Sequence, residues 1–180
     1  MSRALTFNEE IALGMLSEGS HPLDVAARAA DATNAPVTGG VAVFLHGYRC
    51  TTEDVDLFAD DPQKAAADAL RAAGATWDAH RRMHALDGVP IHLVTAVETG
   101  SRPDAIEQRH GVTIVSLPDL IRFKLHAGLD RLDRTRDLAD VVELIRRVPL
   151  DKSFAARLPA TMRDPFKRLV DAVRSAPPHP

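Results

Sequence analysis

The sequence predicts an α/β (α+β) fold, and three observations carry that expectation. Short β-prone runs alternate with helical patterns between residues 35 and 115. Asp87-Gly88 joins two such runs in the manner of a tight hairpin. From Ser116 onward the apolar spacing is helical. The chain therefore divides into N-terminal helices at 1–36, an α/β core at 37–115 and a C-terminal helical region at 116–180, packed as one compact unit.

The elements follow in order. Residues 7–16 and 22–32 read as helices, the second with Pro22 in its first turn and Asp24 where the helix dipole favours an acid. Ala35-Pro36-Val37-Thr38 reads as a short strand entering Gly39-Gly40, followed by a buried helical turn at 41–46 that ends at Gly47. Residues 54–58 form a strand. An Ala-rich helix at 62–73 starts on Pro62 and stops at Gly74.

The runs at 76–85 and 89–94 flank Asp87-Gly88. A strict two-residue loop puts Met83 opposite His92 but sets His80, Arg82 and His84 beside Ile91 and Leu93, which leaves the register open. Residues 112–115 form another strand. Ser116 then caps a helix to about Gly128, with Pro118 and Asp119 in its first turn. A helix at 134–147 carries the stripe Leu138, Val141, Val142 and Ile145. Residues 153–176 read as helical, and the final Pro-Pro-His-Pro as frayed. Trp77 and Phe58 are core candidates.

Composition narrows the function classes. The 180 residues are 45% hydrophobic and 26% charged with a net charge of -3, so no global basic excess points to nucleic acid and any such contact is local. Aromatic content of 4% argues against a base-stacking platform. Cys50 is the single cysteine, which excludes an internal disulfide and a thiolate zinc cluster and fits a reducing cytoplasm. The chain begins without a basic segment leading into an apolar one and has no membrane-length apolar run, so the expected location is cytoplasmic, with no membrane partner.

The chemistry concentrates at residues 39–56. Residues two apart on a strand project to one side, so Asp54 and Asp56 share a face about 6.5 Å apart while Val55 and Leu57 face the other way. Two such carboxylates repel unless a hard divalent cation lies between them, for which Mg²⁺ is the natural choice. Asp-x-Asp on a solvated loop is the bland alternative. Gly39 and Gly40 permit close backbone approach to a ligand, and amides opening a helix favour phosphate. Arg49 offers a fork of donors to a phosphate oxygen, or a simple salt bridge to the acids, and Thr51 and Thr52 add hydroxyls.

The pattern Gly39-Gly40-x-Ala42, His46-Gly47, then Arg49-x-Thr-x-x-Asp54-x-Asp56-Leu57 resembles the nucleotidyltransferase superfamily motif of Gly-[Gly/Ser] followed by Asp-hydrophobic-Asp. It is most similar to the branch containing the AbiEii-type abortive-infection toxins and their relatives. The segment VTIVSLPDLIRFKLHAGLDRLDRTRDLADVVELI resembles that branch's lysine-bearing helix followed by a helix bearing Arg-Asp-x-x-Asp, and together the motifs cover residues 36–147. The resemblance implies a nucleotidyltransferase-like mixed sheet flanked by helices. It implies an NTP bound through Gly39, Gly40, Arg49, Thr52 and Lys124, and Mg²⁺ or Mn²⁺ on Asp54 and Asp56. It also implies a nucleotidyl group passed to a tRNA end, a protein side chain or a small molecule, and an antitoxin partner.

Two positions leave alternatives open. Leu117, Leu120, Ile121 and Lys124 share one helical face, so Lys124 points inward and needs an anion: a nucleotide phosphate, or a structural acid such as Asp137 or Asp140. The resemblance also calls for a third carboxylate on a neighbouring strand, where GVPIHLV offers His92. Histidine is a competent base near neutral pH and ligates Mn²⁺ better than Mg²⁺. Altered catalysis with His92 in the catalytic set, an inactive nucleotide-binding or regulatory relative, or a third acid supplied by Asp78, Asp87 or Glu98 all follow. His80-x-x-x-His84 lacks the glutamate and helix of a zinc protease motif. His46-Gly47 reads as packing at a helix end, and His126 and Asp133 as solvated surface.

Overall fold

The structure is a computed structural model that describes residues 21–59 and 62–176; the expected helix at 7–16 and the final Pro-Pro-His-Pro lie outside the described residues. Seven strands form one mixed sheet in the order β3-β4-β5-β2-β1-β7-β6. They are β1 (Val37–Thr38), β2 (Val55–Phe58), β3 (Thr76–Asp78), β4 (Met83–Leu86), β5 (Val89–Val94), β6 (Ile106–Arg109) and β7 (Val112–Val115). β1 runs parallel to β7 and β2 parallel to β5, and the remaining pairs are antiparallel. The helices are α1 (Pro22–Thr33), α2 (Gly39–Leu45), α3 (Ala67–Ala72), α4 (Ala96–Thr99), α5 (Leu117–Asp130), α6 (Thr135–Arg147) and α7 (Ala160–Ser175). Among the described residues no helix is long and apolar enough to cross a membrane.

Local chemistry sets most boundaries. His21 caps α1 through its ring nitrogen, which accepts from the Leu23 amide at 3.2 Å, and Asn34 ends the helix in the left-handed region. Asp87 and Gly88 both have positive φ, as a two-residue hairpin turn requires, and the pairs Leu86 with Val89 and His84 with Ile91 adopt the strict register. Ser116 caps α5 by accepting from the Asp119 amide. Buried Val37, Val55, Leu57, Ile91 and Ile114 form the sheet's contribution to the core, with Val25 and Ala29 of α1 and Leu120, Ile121 and Leu125 of α5 against it. Each Val, Leu or Ile among them contributes roughly 1.5–3 kcal/mol on burial.

Several expectations are corrected. The run 76–85 is two strands, because Asp78 accepts from the amides of His80 and Arg81 at 2.9 and 3.0 Å and turns the chain there. Trp77 is not core: β3 is the sheet edge, so the indole is 55% exposed and rests edge-on against His84 at 5.1 Å. Phe58 is buried, stacked 6.1 Å from Phe123. The buried helical turn begins at Gly39 rather than 41. The helix expected at 62–73 starts as a π turn, Pro62–Ala66, before α3. The segment 153–176 is a 3-10 helix (Lys152–Arg157) and α7, broken at Leu158-Pro159 where proline cannot continue the ladder. His126 is not simply solvated: its ring fills the space beside Gly100 and pairs with Asp130 at 3.0 Å. β6 and α4 were not legible as elements.

The face of α6 also differs. Its buried residues are Asp137, Asp140, Val141, Leu144 and Ile145, whereas Leu138 is only partly buried, against Gly128. Two aspartates enter the interface because Lys124 of α5 meets them: Nζ donates to Asp137 Oδ1 at 2.7 Å and to Asp140 Oδ2 at 2.8 Å. All three side chains are nearly buried. Burial alone lowers the lysine pKa, but the two carboxylates outweigh it and hold the ammonium above its ordinary value. Arg134 gives Asp137 a second partner at 2.7 Å, and Lys124 pairs with Asp140 as well.

Removing Lys124 strands the Asp140 carboxylate in a dry interface. Lys124→Met is expected to cost about 3–5 kcal/mol in urea unfolding. Arg131→Ala, which removes an exposed pair with Asp133, is expected to leave the unfolding midpoint nearly unchanged. Equal, small effects of the two substitutions contradict the assigned role of Lys124.

Candidate functional site

The site is built around Asp56. In the sheet register Asp56 lies beside Thr38 of β1 on one side and His92 of β5 on the other. Its Oδ1 is 3.2 Å from His92 Nδ1. Its other oxygen abuts the glycine bend: a Cβ on residue 39 would fall 1.8 Å from Asp56 Oδ2, and Gly39 has φ +60, so glycine is required there on both counts. The neighbouring Gly40 is also crowded, though less so, with Thr52 Oγ1 2.6 Å from the place a Cβ would take. Thr38 makes no side-chain capping bond to α2.

The second aspartate sits differently from the expected two-on-a-strand arrangement. β2 begins at Val55, so Asp54 occupies the bend before it, where its Oδ1 faces Thr52 Oγ1 at 3.2 Å. Asp54 is exposed and Asp56 half-buried. Both are close enough to act on His92 electrostatically.

His92 bridges two acids. Beyond Asp56, its Nε2 lies 3.4 Å from Glu98 Oε1. Glu98 is fixed by the capping box of α4, where its other oxygen accepts from the Thr95 amide at 2.9 Å and hydroxyl at 3.0 Å. The hydrogen bond to Asp56 raises the His92 pKa; burial opposes it, and the charges of Asp56, Glu98 and Asp54 add to the rise. Of the three acids considered as a substitute third carboxylate, Glu98 alone meets His92. Asp78 is engaged in its own turn, and Asp87 pairs with Arg28 at the hairpin. Sequence reasoning underused Glu98, although Thr95-x-x-Glu98 is itself a capping-box signal.

The remaining residues fall around this centre. Thr52 packs on Gly40, and Arg49 is exposed in the loop that leads to it. Lys124 stands behind that loop, close enough to act on Cys50, with two of its three ammonium hydrogens directed to Asp137 and Asp140. Of the anions the sequence left open for Lys124, the structure places these two carboxylates on it. His84 is buried beside Trp77 and His80 lies in the exposed β3–β4 turn, well described as scaffold. His46 is buried at the end of α2, its Nε2 3.0 Å from the Val115 carbonyl, consistent with a packing role. A cavity of about 460 Å³ opens between the start of α5 and the break before α7, bordered by Asp104, Ser116, Asp119, Arg122 and Arg157; none of the residues above lines it.

No protein-family model, curated protein or solved structure matches the chain.

Mg²⁺ typically takes one or two carboxylates and completes its shell with water and substrate phosphates. Asp54 and Asp56 do not form a resident cage: among the described residues no group of three or more His, Cys, Asp or Glu side chains is arranged to hold a metal. Both nitrogens of the imidazole beside Asp56 are directed at carboxylates.

In the ligand-free protein the His92 imidazole is expected to titrate above 6.5, its ordinary value. Because the folded pKa is raised, the stabilisation from the His92–Asp56 pair is fully present below pH 6.5 and is lost as pH rises through the folded value. NMR titration of the ring protons checks this, and Asp56→Asn should move the midpoint back down. A midpoint indifferent to Asp56→Asn contradicts the pairing.

Proposed function

We propose that this chain is a nucleotidyltransferase-like protein that binds an NTP with a divalent cation at the Gly39-Gly40 bend. The observation that carries the reading is the contact of the Asp56 carboxylate with the glycine backbone at residue 39, which puts an acid and a side-chain-free bend in one place. The resemblance of residues 36–147 to the superfamily motifs supports the same assignment. In this reading the Gly39 and Gly40 backbone admits the phosphates, Arg49 and Thr52 contact them, and Asp54 and Asp56 hold the cation. The cation supplies charge neutralisation on the phosphates of the bound nucleotide. Lys124 serves by fixing α6 behind the loop, and with Asp137 and Asp140 it is a supporting element.

The chemistry open to such a site is transfer of a nucleotidyl group to a hydroxyl of an RNA, a protein or a small molecule with release of pyrophosphate, as a toxin of a toxin–antitoxin pair would perform. His92 is then the base once its Nε2 leaves Glu98: Nδ1–H donates to Asp56, and the freed, unprotonated Nε2 would take the proton from the attacking hydroxyl. A second reading is binding without turnover, as in a regulatory module. It is favoured by His92 standing on β5 where the resemblance calls for a third carboxylate, and engaging Asp56 Oδ1 there.

Calorimetry with ATP and GTP in the presence of Mg²⁺ or Mn²⁺ tests the binding. The double variant Asp54→Asn with Asp56→Asn keeps side-chain shape and is expected to weaken affinity by at least about tenfold, the loss of roughly 1.4 kcal/mol or more, with little change in melting temperature. Equal affinity of wild type and double variant overturns the proposal. Gly39→Ala is expected to abolish binding too, because the new methyl must displace the Asp56 carboxylate. Radiolabel transfer from NTP to cell RNA or protein separates the two readings, and His92→Asp sharpens the result. A gain of transfer selects the module whose turnover was lost, and a loss assigns His92 as the working base.

A further inference from the structure

We infer that Arg136, on α6, is a positioning residue for the candidate site: its guanidinium ties down the 48–52 loop and so sets Thr52 against Gly40 and Asp54. Arg136 Nη2 donates to the Thr51 carbonyl at 2.6 Å, a contact between residues 85 apart in sequence. The segment it reaches has no helical or strand structure of its own. Such a stretch must satisfy its backbone groups from elsewhere.

The Tyr48 amide donates to the Val43 carbonyl at 3.2 Å, and the Cys50 thiol donates to the Gly40 carbonyl at 3.3 Å. A thiol is a weak donor. Thr52 Oγ1 faces the Asp54 carbonyl at 3.1 Å and Asp54 Oδ1 at 3.2 Å, and one hydroxyl hydrogen serves only one of them at a time. The charged hydrogen bond from Arg136 is therefore a strong link between this loop and the helical region.

The electrostatic surroundings agree with that geometry. Cys50 senses Asp140, Lys124 and Arg136, and Tyr48 senses Glu143, Asp140 and Arg136, so the loop lies along the first turns of α6. The Lys124 bridge to Asp137 and Asp140 holds that end of α6 against α5. Arg136 is the adjacent residue, directed outward to the loop and exposed. A rigid helix anchored by a buried ion triad thus carries a guanidinium that fixes one residue beside Thr52. The reach and planar fork of arginine suit this contact, while lysine can supply one hydrogen bond at the same place.

The loop-ordering half of this inference stands alone, whereas its effect on ligand affinity rests on the nucleotide reading above. Arg136→Ala, Arg136→Lys and wild-type protein are compared by amide hydrogen exchange without ligand, then by calorimetry with ATP and Mg²⁺. Arg136→Ala is expected to speed exchange at residues 50–54 about fivefold and to raise the ATP dissociation constant by a similar factor, with the melting temperature unchanged. Arg136→Lys should recover part of both, and adding Arg136→Ala to Thr52→Ala should weaken ATP binding no further than Thr52→Ala alone. Unchanged loop exchange in Arg136→Ala overturns the inference. Should wild-type protein fail to bind ATP while loop exchange still responds, the nucleotide reading falls and the positioning role of Arg136 stands.

Discussion

The absence of a side chain at residue 39 is the constraint on which the rest of the site depends. Asp56 Oδ2 fills the place a Cβ would take, so the carboxylate and the bend approach more closely than any other residue type allows. This contact turns a strand and a helix start into one site. β1 delivers the bend, β2 delivers the acid antiparallel to it, and β5 adds His92 in parallel register. A methyl group at residue 39 would push β2 away from β1 or rotate Asp56 toward His92.

Around that centre the charge is balanced by direct contact. His92 is held between Asp56 and Glu98, and its raised pKa follows from this placement. Behind the loop, Lys124 is similarly held between Asp137 and Asp140, but in a drier interface, where the two carboxylates outweigh burial. The two cations differ in consequence. The half-buried imidazole can exchange its partner for solvent or ligand, while the ammonium is part of the joint between α5 and α6.

Much of the fold was legible in local signals. The Asp87-Gly88 turn, the Ser116 cap and the apolar face of α5 all depend on residues within a few positions of one another. The inward direction of Lys124 follows from spacing, and Asp137 and Asp140 stand among its possible anions, but no local signal chooses between them and a phosphate; the packing of α6 on α5 does. Putting them on the buried face rotates the expected stripe and brings in Leu144. Trp77 misled because an aromatic in a β-prone run reads as core, and only the strand order reveals that β3 is an edge. β6 was missed because Ile106–Arg109 is mostly polar and exposed, as an edge strand tends to be, although His110-Gly111 with positive φ marks its hairpin. Asp56 beside His92 depends on parallel pairing across 36 residues, which no local pattern encodes.

The nucleotide account reduces to one spatial claim, that a cation and a triphosphate meet at the Gly39–Asp56 contact. Paramagnetic line broadening tests it directly, with Mn²⁺ added to isotopically labelled protein alongside a non-hydrolysable ATP analogue. The account predicts selective loss of the amide signals of Gly39, Gly40, Asp54 and Asp56, reversed by a chelator. Sharp signals at those four residues, with broadening confined to other acidic positions such as Asp104 and Asp119, would contradict it.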